Sequence, residues 1–527
     1  MPTEQHWAAA GREVDSGADV ECRMSQGVSV ARLLRVVRSV GDHGLYWLTL
    51  VVSRAGGLLT VPVYARLLGP DDYGRYELLV ALIALLFSLL LLGMDFAVSV
   101  RYFHQSPAER RADLASAVLV TSVVSLAAAA GIGLMSPVLA SELLRDSSAI
   151  PPIVLAGIGV PFNVVSGIWA VVFRLQFRPR AFFASTVVGT LTGSVFGVIL
   201  VIWARVGLAG AVAGVTASYV ITALVGAYLV RESVSRSDIS LQSTRSLLRL
   251  GLPLVPAGAA LWVFALSDRL FVLAFAGVNQ VGLYAAAARV STILSLIQGG
   301  FNLGWTPIAL RWGLRRDRER FYEATVVSVA AIGGAGVIAL SLGASLALSI
   351  LAGPNYVSAS PIMWMLAGSV VYYALFYVVT IGLNLTRSSG RLAWATVIAA
   401  AANTALNILL IPAMGYAGAA AATLVAYAVA CVAGYLMAER AMPMRIGFGR
   451  GMVWLGIGIA AAAAQTLVAG PVPVALSCLV AVLLLFAGMR GVRMAYRELS
   501  VPDPSPPVTL ALEPSFAQDR EADSILD

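Results

Sequence analysis

The stretch GPDDYGRY at residues 69–76 recurs as GVNQVGLY at residues 277–284, so that Gly69, Gly74 and Tyr76 return as Gly277, Gly282 and Tyr284, each 208 residues on. The same offset pairs Gly207, Gly210, Ala211, Tyr219 and Gly226 with Gly415, Gly418, Ala419, Tyr427 and Gly434. Glycine is abundant here, so a single match carries little. A run of matches at one offset, two tyrosines among them, points to an internal duplication and hence to two lobes around a shared path.

Composition names the solvent in which those lobes fold. The chain is 59% hydrophobic and 12% charged, with a mean hydropathy of +0.84; a soluble domain carries roughly twice that charge. Apolar runs of about 20 residues, the length that crosses a bilayer core, recur down most of the sequence. Solid runs of this kind satisfy their backbone in lipid only as helices, and the alternation of a membrane barrel is absent. The fold class expected is therefore an all-α integral membrane protein.

Spans are predicted near residues 45–68, 76–100, 114–138, 150–173, 181–203 and 208–230, forming a first six-helix lobe within 42–230. A second set lies near 250–275, 283–310, 321–346, 358–385, 392–411 and 416–437, within 250–440. Two further helices near 453–469 and 472–489 have no counterpart in the repeat, for a total of about fourteen. Six spans per repeat is an even number, so both lobes enter the membrane in the same direction, as a parallel repeat. Residues 231–249 form a polar, serine-rich linker between them.

Orientation follows from arginine, the only strong base in a chain that has no lysine. Arg32, Arg35 and Arg38 precede the first span, and every second loop thereafter is arginine-rich, among them those with Arg110 and Arg111, Arg178 and Arg180, and Arg315 and Arg316. Such an excess marks cytoplasmic loops, which puts both termini in the cytoplasm. The net charge of +8 is accounted for in this way and is no nucleic-acid signal.

The ends carry less. Residues 1–41 form a cytoplasmic N-terminal segment whose first part is acidic without an apolar core, unlike a signal peptide, and Met24 is a second candidate start. Residues 490–527 form a tail that reads as disordered once its prolines begin at Pro502. Cys22, Cys431 and Cys478 share no metal-ligand spacing, and no phosphate-binding glycine loop or nucleophile motif stands out, so neither a cofactor nor an enzymatic reaction is expected.

Several phrases together resemble the polysaccharide flippases, of the superfamily that also holds multidrug and toxic compound extruders and lipid II flippases. In the first lobe these are residues 67–76 and the apolar span that ends near Leu92 and Gly93. In the second they are Gly251-Leu252-Pro253-Leu254-Val255-Pro256, Leu266-Ser267-Asp268-Arg269, Val281-Gly282-Leu283-Tyr284 and Phe301-Asn302. The resemblance runs from about residue 45 to about 489. It implies two lobes that open alternately to the two sides of a bacterial inner membrane and move a polyprenyl-diphosphate-linked oligosaccharide to the outer leaflet. Polymerase and glycosyltransferases are the protein partners it implies, with membrane lipids around the bundle.

Charges placed where lipid should be are read independently of that likeness, because each costs at least about 2.5–3.5 kcal/mol at the centre of a span. Arg54 lies about nine residues into the first span, roughly 14 Å deep and too far for easy snorkelling. Arg269 and Arg289 sit nearer the outer ends of their spans. Facing a water-filled cavity, the three would hold a diphosphate; the plainer readings are a structural arginine and snorkelling cations. Asp95 and Asp268 are candidates for ion coupling, with Asp95 otherwise paired to Arg101. Asp268 is expected to pair with Arg289, since neighbours on a helix do not face each other. Glu77 is expected at the outer surface with Arg75 or Arg66.

For sugar contact, the amides Gln298, Asn302 and Asn384 lead, with Asn403, Asn407 and Gln176 as further candidates, although amides in bundles more often join helices. Tyr372, Tyr373, Tyr377, Trp262 and Trp305 could stack on sugar rings, or simply fill the core. Pro62, Pro253, Pro256 and Pro307 interrupt spans and suit gating as well as ordinary kinks. The competing functions are a multidrug extruder, which calls for buried carboxylates; a glycan polymerase or ligase, which calls for a large outer loop; and a scaffold that transports nothing. At the offset, Arg54 maps to Trp262 and Arg269 to Val61, so the candidate cationic site departs from the repeat.

Overall fold

The computed structural model of this chain describes residues 30–234, 238–312, 318–386, 388–444, 446–468 and 470–500. The segment before residue 30, the tail from residue 501 and the side chain of Arg54 lie outside the described residues. The remainder is helical. In the N-terminal half run α1 (Val30–Leu90), α2 (Met94–Tyr102), α3 (Pro107–Val138), α4 (Ile150–Leu175), α5 (Pro179–Ile202) and α6 (Leu208–Val230). A short connecting helix, α7 (Leu241–Gly251), leads to α8 (Val255–Leu266), α9 (Asp268–Ala276), α10 (Val278–Trp312), α11 (Arg318–Leu342) and α12 (Ala344–Leu351). A 3-10 turn (Pro354–Ile362) precedes α13 (Met363–Val379), α14 (Ile381–Leu385), α15 (Ser389–Met414), α16 (Tyr416–Ala441), α17 (Phe448–Leu467) and α18 (Pro471–Ser500).

Twelve helical stretches among the described residues are long and apolar enough to cross a membrane. One of them, Gly44–Leu90, holds the first expected span and the greater part of the second. Gly69 divides it at φ 73°, ψ 174°, a conformation that side chains disfavour, and Pro70 restarts the helix where a missing N–H costs nothing. The second expected span, 76–100, stops early. Leu92 and Gly93 turn left-handed, and the short α2 begins beyond them. Gly93 backs onto the chain at Gly251 so closely that a methyl there would lie 2.4 Å from the Gly251 carbonyl oxygen. The expected span 250–275 is likewise split, at Ser267, into α8 and α9. The α17 helix lies outside the twelve stretches.

The glycines matched in sequence take matching backbones. Gly69 and Gly277 lie at φ 73°, ψ 174° and φ 90°, ψ 170°; Gly207 and Gly415 lie at φ 61°, ψ −134° and φ 59°, ψ −140°. Helices 208 residues apart also choose corresponding neighbours: α5 packs on α6 as α15 packs on α16, and α4 on α6 as α13 on α16. Gly226 admits Trp169 against its backbone, and Gly434 admits Phe376 and Thr380 in the same way. The halves meet where α1 crosses α10. There a methyl on Gly74 would lie 2.4 Å from the Val278 carbonyl oxygen, and one on Gly282 would lie 2.0 Å from that of Pro70. These two contacts are each other's image under the 208-residue offset.

Candidate functional site

One turn beyond Gly74, α1 presents Glu77; two turns beyond Gly282, α10 presents Arg289; and the first turn of α9 presents Asp268 and Arg269. All four side chains are largely buried, with Glu77 only 2% exposed and Arg269 10%. The Glu77 carboxylate is shared. Its Oε1 accepts from Arg289 Nε at 2.9 Å, its Oε2 lies 3.6 Å from Arg269 Nε, and the Tyr73 hydroxyl also donates to Oε1 at 3.3 Å. Arg269 reaches Asp268 Oδ1 at 3.4 Å, while Tyr284 donates its hydroxyl to Asp268 Oδ2 and stands 3.4 Å from the Thr423 hydroxyl. Two acids and two bases thus form one neutral network that spans both halves. Mutual pairing offsets the cost of burying four charges together.

The network lines a cavity of about 340 Å³. Its walls add the hydroxyls of Ser291, Thr292, Ser295, Ser369 and Thr423 and the rings of Phe264 and Tyr427. Tyr427 continues outward through ring contacts to Phe264 at 4.4 Å and Tyr373 at 5.4 Å, and the Tyr373 and Tyr377 hydroxyls are 3.0 Å apart. The lining therefore combines charge, hydroxyls and aromatic rings.

Of the residues singled out in sequence, Arg269, Arg289 and Asp268 come together here. Arg54 belongs to α1, one helical turn before Gly57, where a methyl would lie 3.7 Å from Arg289 Nη1. Gln298 and Asn302 continue along α10 from the cavity-lining Ser295 at helical spacing; Gln298 is half-buried and the Asn302 Oδ1 is buried without a partner among the described residues. Asn384 is exposed on α14 and lines no part of the cavity, and Asp95 is half-buried at the start of α2. Asn403 and Asn407 are fully buried on α15, bonded to each other at 3.0 Å, and their outer amide atoms, Asn403 Nδ2 and Asn407 Oδ1, have no partner among the described residues. Gln176 instead bonds Ser233 at 3.1 Å.

Three expected pairings are corrected. Asp268 meets its neighbour Arg269, not Arg289, because as the first residue of α9 it folds back on the backbone and accepts the Arg269 N–H at 2.9 Å. Glu77 is not at the surface with Arg75 or Arg66. Arg75 pairs with Asp72 at 2.6 Å, and Arg66 donates to the Ser349 and Ile350 carbonyls. Arg101 pairs with Asp113 at 2.7 Å, and Asp95 has no ion pair among the described residues. Of the aromatic candidates, Trp262 spends its indole N–H on the Ala81 carbonyl at 3.0 Å, tying the halves, and Trp305 is buried between Phe301 and Phe321. Among the network's members, Glu77 is the one its sequence context conceals. Its one signal was its place a single turn from Gly74 at the head of an apolar run.

Fold and cavity define a class: a polytopic bundle of helices long and apolar enough to cross a membrane, with a charged cavity between its halves. Residues 43–308, half of the chain, match the polysaccharide biosynthesis protein family, and the chain belongs to that family. It is 24% identical over 302 residues to the succinoglycan biosynthesis transport protein ExoT of Rhizobium meliloti, a match covering 56% of this chain and 57% of that one. It is also 24% identical over 209 residues to the probable low-salt glycan biosynthesis flippase Agl15 of Haloferax volcanii, covering 38% of this chain and 43% of the relative. The chain thus spans about half the length of the curated relatives it matches. Among solved structures, the lipid II flippase MurJ in an inward closed conformation superposes with a TM-score of 0.65 at 13% identity, covering 86% of this chain and 98% of that one.

Proposed function

We propose that this protein carries a polyprenyl-diphosphate-linked oligosaccharide from the inner to the outer leaflet of a bacterial inner membrane by alternating access, for exopolysaccharide, capsule or O-antigen synthesis. The observation that carries the reading is the pair Arg269 and Arg289, two guanidinium groups close enough to share one carboxylate, in a cavity lined with hydroxyls and aromatic rings. A diphosphate offers the same geometry of paired oxygens to a planar donor fork. The printed names of two relatives, a succinoglycan transporter and a glycan flippase, agree with a glycan cargo. In this mechanism two six-helix lobes, residues 42–230 and 250–440, rock about the α1–α10 crossing, joined by the 231–249 linker. The prenyl tail stays in lipid, and both termini face the cytoplasm, where glycosyltransferases build the cargo. A polymerase receives it on the other side. Arg54 completes the diphosphate site from the first span, Gln298 and Asn302 touch the sugars, and Asp268 is the coupling carboxylate.

The multidrug-extruder reading draws on the two buried acids, Glu77 and Asp268, which an organic cation could use. Both are already engaged by arginine, and a cation entering here would have to displace two of them. Reconstitution decides between the readings. Vesicles holding the protein and a fluorescent polyprenyl-diphosphate glycan should expose the label to the opposite face, and Arg269→Ala and Arg289→Ala should abolish that exposure. Full transport by both inserted variants overturns the site assignment.

A further inference from the structure

We propose that Glu77 is an ionic latch between the two halves: it occupies both arginines until an anionic diphosphate takes its place, and its release frees the glycine crossing at Gly74 and Gly282. The inference rests on the diphosphate reading given above and adds a gate to it.

Three observations carry the latch. Among the described residues, the salt bridges that cross between the halves all run through Glu77, whose two carboxylate oxygens meet Arg289 and Arg269 from the C-terminal half. Three residues along the same helix, Gly74 lies against Val278, and Gly282 against Pro70, at distances no side chain would allow. Between them Asn279 donates to Asp71 at 3.4 Å, a pair separated by the repeat offset itself. Ion pair and seal thus share one helix segment and stand one turn apart.

Charge balance supplies the reason for exchange. With Glu77 in place the network is neutral, so an arriving dianion meets no surplus of positive charge, and the arginines become available only as the carboxylate leaves. A carboxylate bridging two guanidinium groups is the closest side-chain analogue of a phosphate group's two free oxygens. The two anions differ in attachment. Glu77 is fixed to α1 and holds the halves together, whereas a bound phosphate is fixed to neither, so the exchange removes the ionic tie across the crossing. Binding from one side then favours opening at the other, because the ligand has a different affinity for the latched and unlatched states.

A disulfide across the seal reports the state. In a chain cleared of its native cysteines, Asp71→Cys with Asn279→Cys should crosslink readily in vesicles under mild oxidation. Farnesyl diphosphate should lower the yield by about threefold or more, and farnesol, which lacks the diphosphate, should not. In the same background Glu77→Gln should crosslink poorly without ligand and show no response to farnesyl diphosphate. A Glu77→Gln yield equal to the parent's overturns the latch, as does a parent indifferent to farnesyl diphosphate. If Glu77→Gln fails to insert, Arg269→Gln with Arg289→Gln leaves Glu77 no cation to bridge and should lower the ligand-free yield in the same way; a yield equal to the parent's from that inserted double variant also overturns it. A parent that latches and responds yet moves no lipid-linked glycan overturns the transport reading and leaves the latch standing.

Discussion

At the scale of single residues, stability and function are bound together in the charge network. Removing one member of a buried pair leaves its partner uncompensated, at a cost of about 3–5 kcal/mol. Arg269→Ala should therefore lower the thermal stability of the detergent-purified protein beyond what Arg289→Ala does, because its loss leaves Asp268 without an ion pair among the described residues and takes one from Glu77 as well, whereas loss of Arg289 still leaves Glu77 with Arg269. Melting followed by tryptophan fluorescence would check the order. Trp262→Phe keeps the ring but loses the bond to Ala81, and should cost about 1 kcal/mol. The arginines were legible in sequence because a charge inside an apolar run stands out against its surroundings. Their partner Glu77 was not, since a carboxylate near two sequence-local arginines invites a local pairing. Which arginine it meets is decided by the crossing of helices 200 residues apart.

At the scale of elements, glycine sets how closely helices approach. At Gly282 the obstacle to a side chain is backbone, the Pro70 carbonyl, which cannot rotate away. Gly282→Ala should force α1 and α10 apart, lowering both stability and the Asp71–Asn279 crosslink. Gly131, in the middle of α3 with nothing within 4 Å of an added methyl, is the control. Gly131→Ala should be neutral within about 0.5 kcal/mol. Periodicity and apolar length located most helices to within a few residues. The break at Ser267 was not foreseen and that at Gly93 showed only through the family likeness, because continuous hydrophobicity hides a turn whose cause is a close approach elsewhere, Gly93 against Gly251 in the second case.

At the scale of the whole molecule, deletion of the chain from its host should abolish a surface glycan without altering drug resistance, checked by glycan staining beside growth in toxic cations. Reporter fusions at the two ends should both report the cytoplasm, as the arginine pattern requires. Glu77→Gln and Arg289→Gln should each impair export, and the double variant should be no worse than the more impaired single one, which would show that the two act as one unit.

The sequence by itself determined the solvent, the helical class and the family likeness, because apolar run length, arginine placement and glycine spacing are local properties that need no folding to be read. It also carried the 208-residue offset that couples Gly74 to Gly282. Only the tertiary structure decided that these glycines touch each other's segments and that Glu77 joins arginines from the other half. A charge in a membrane must find a partner, but which one it finds depends on how helices cross, and the crossing depends on backbone approach distances that linear order does not record.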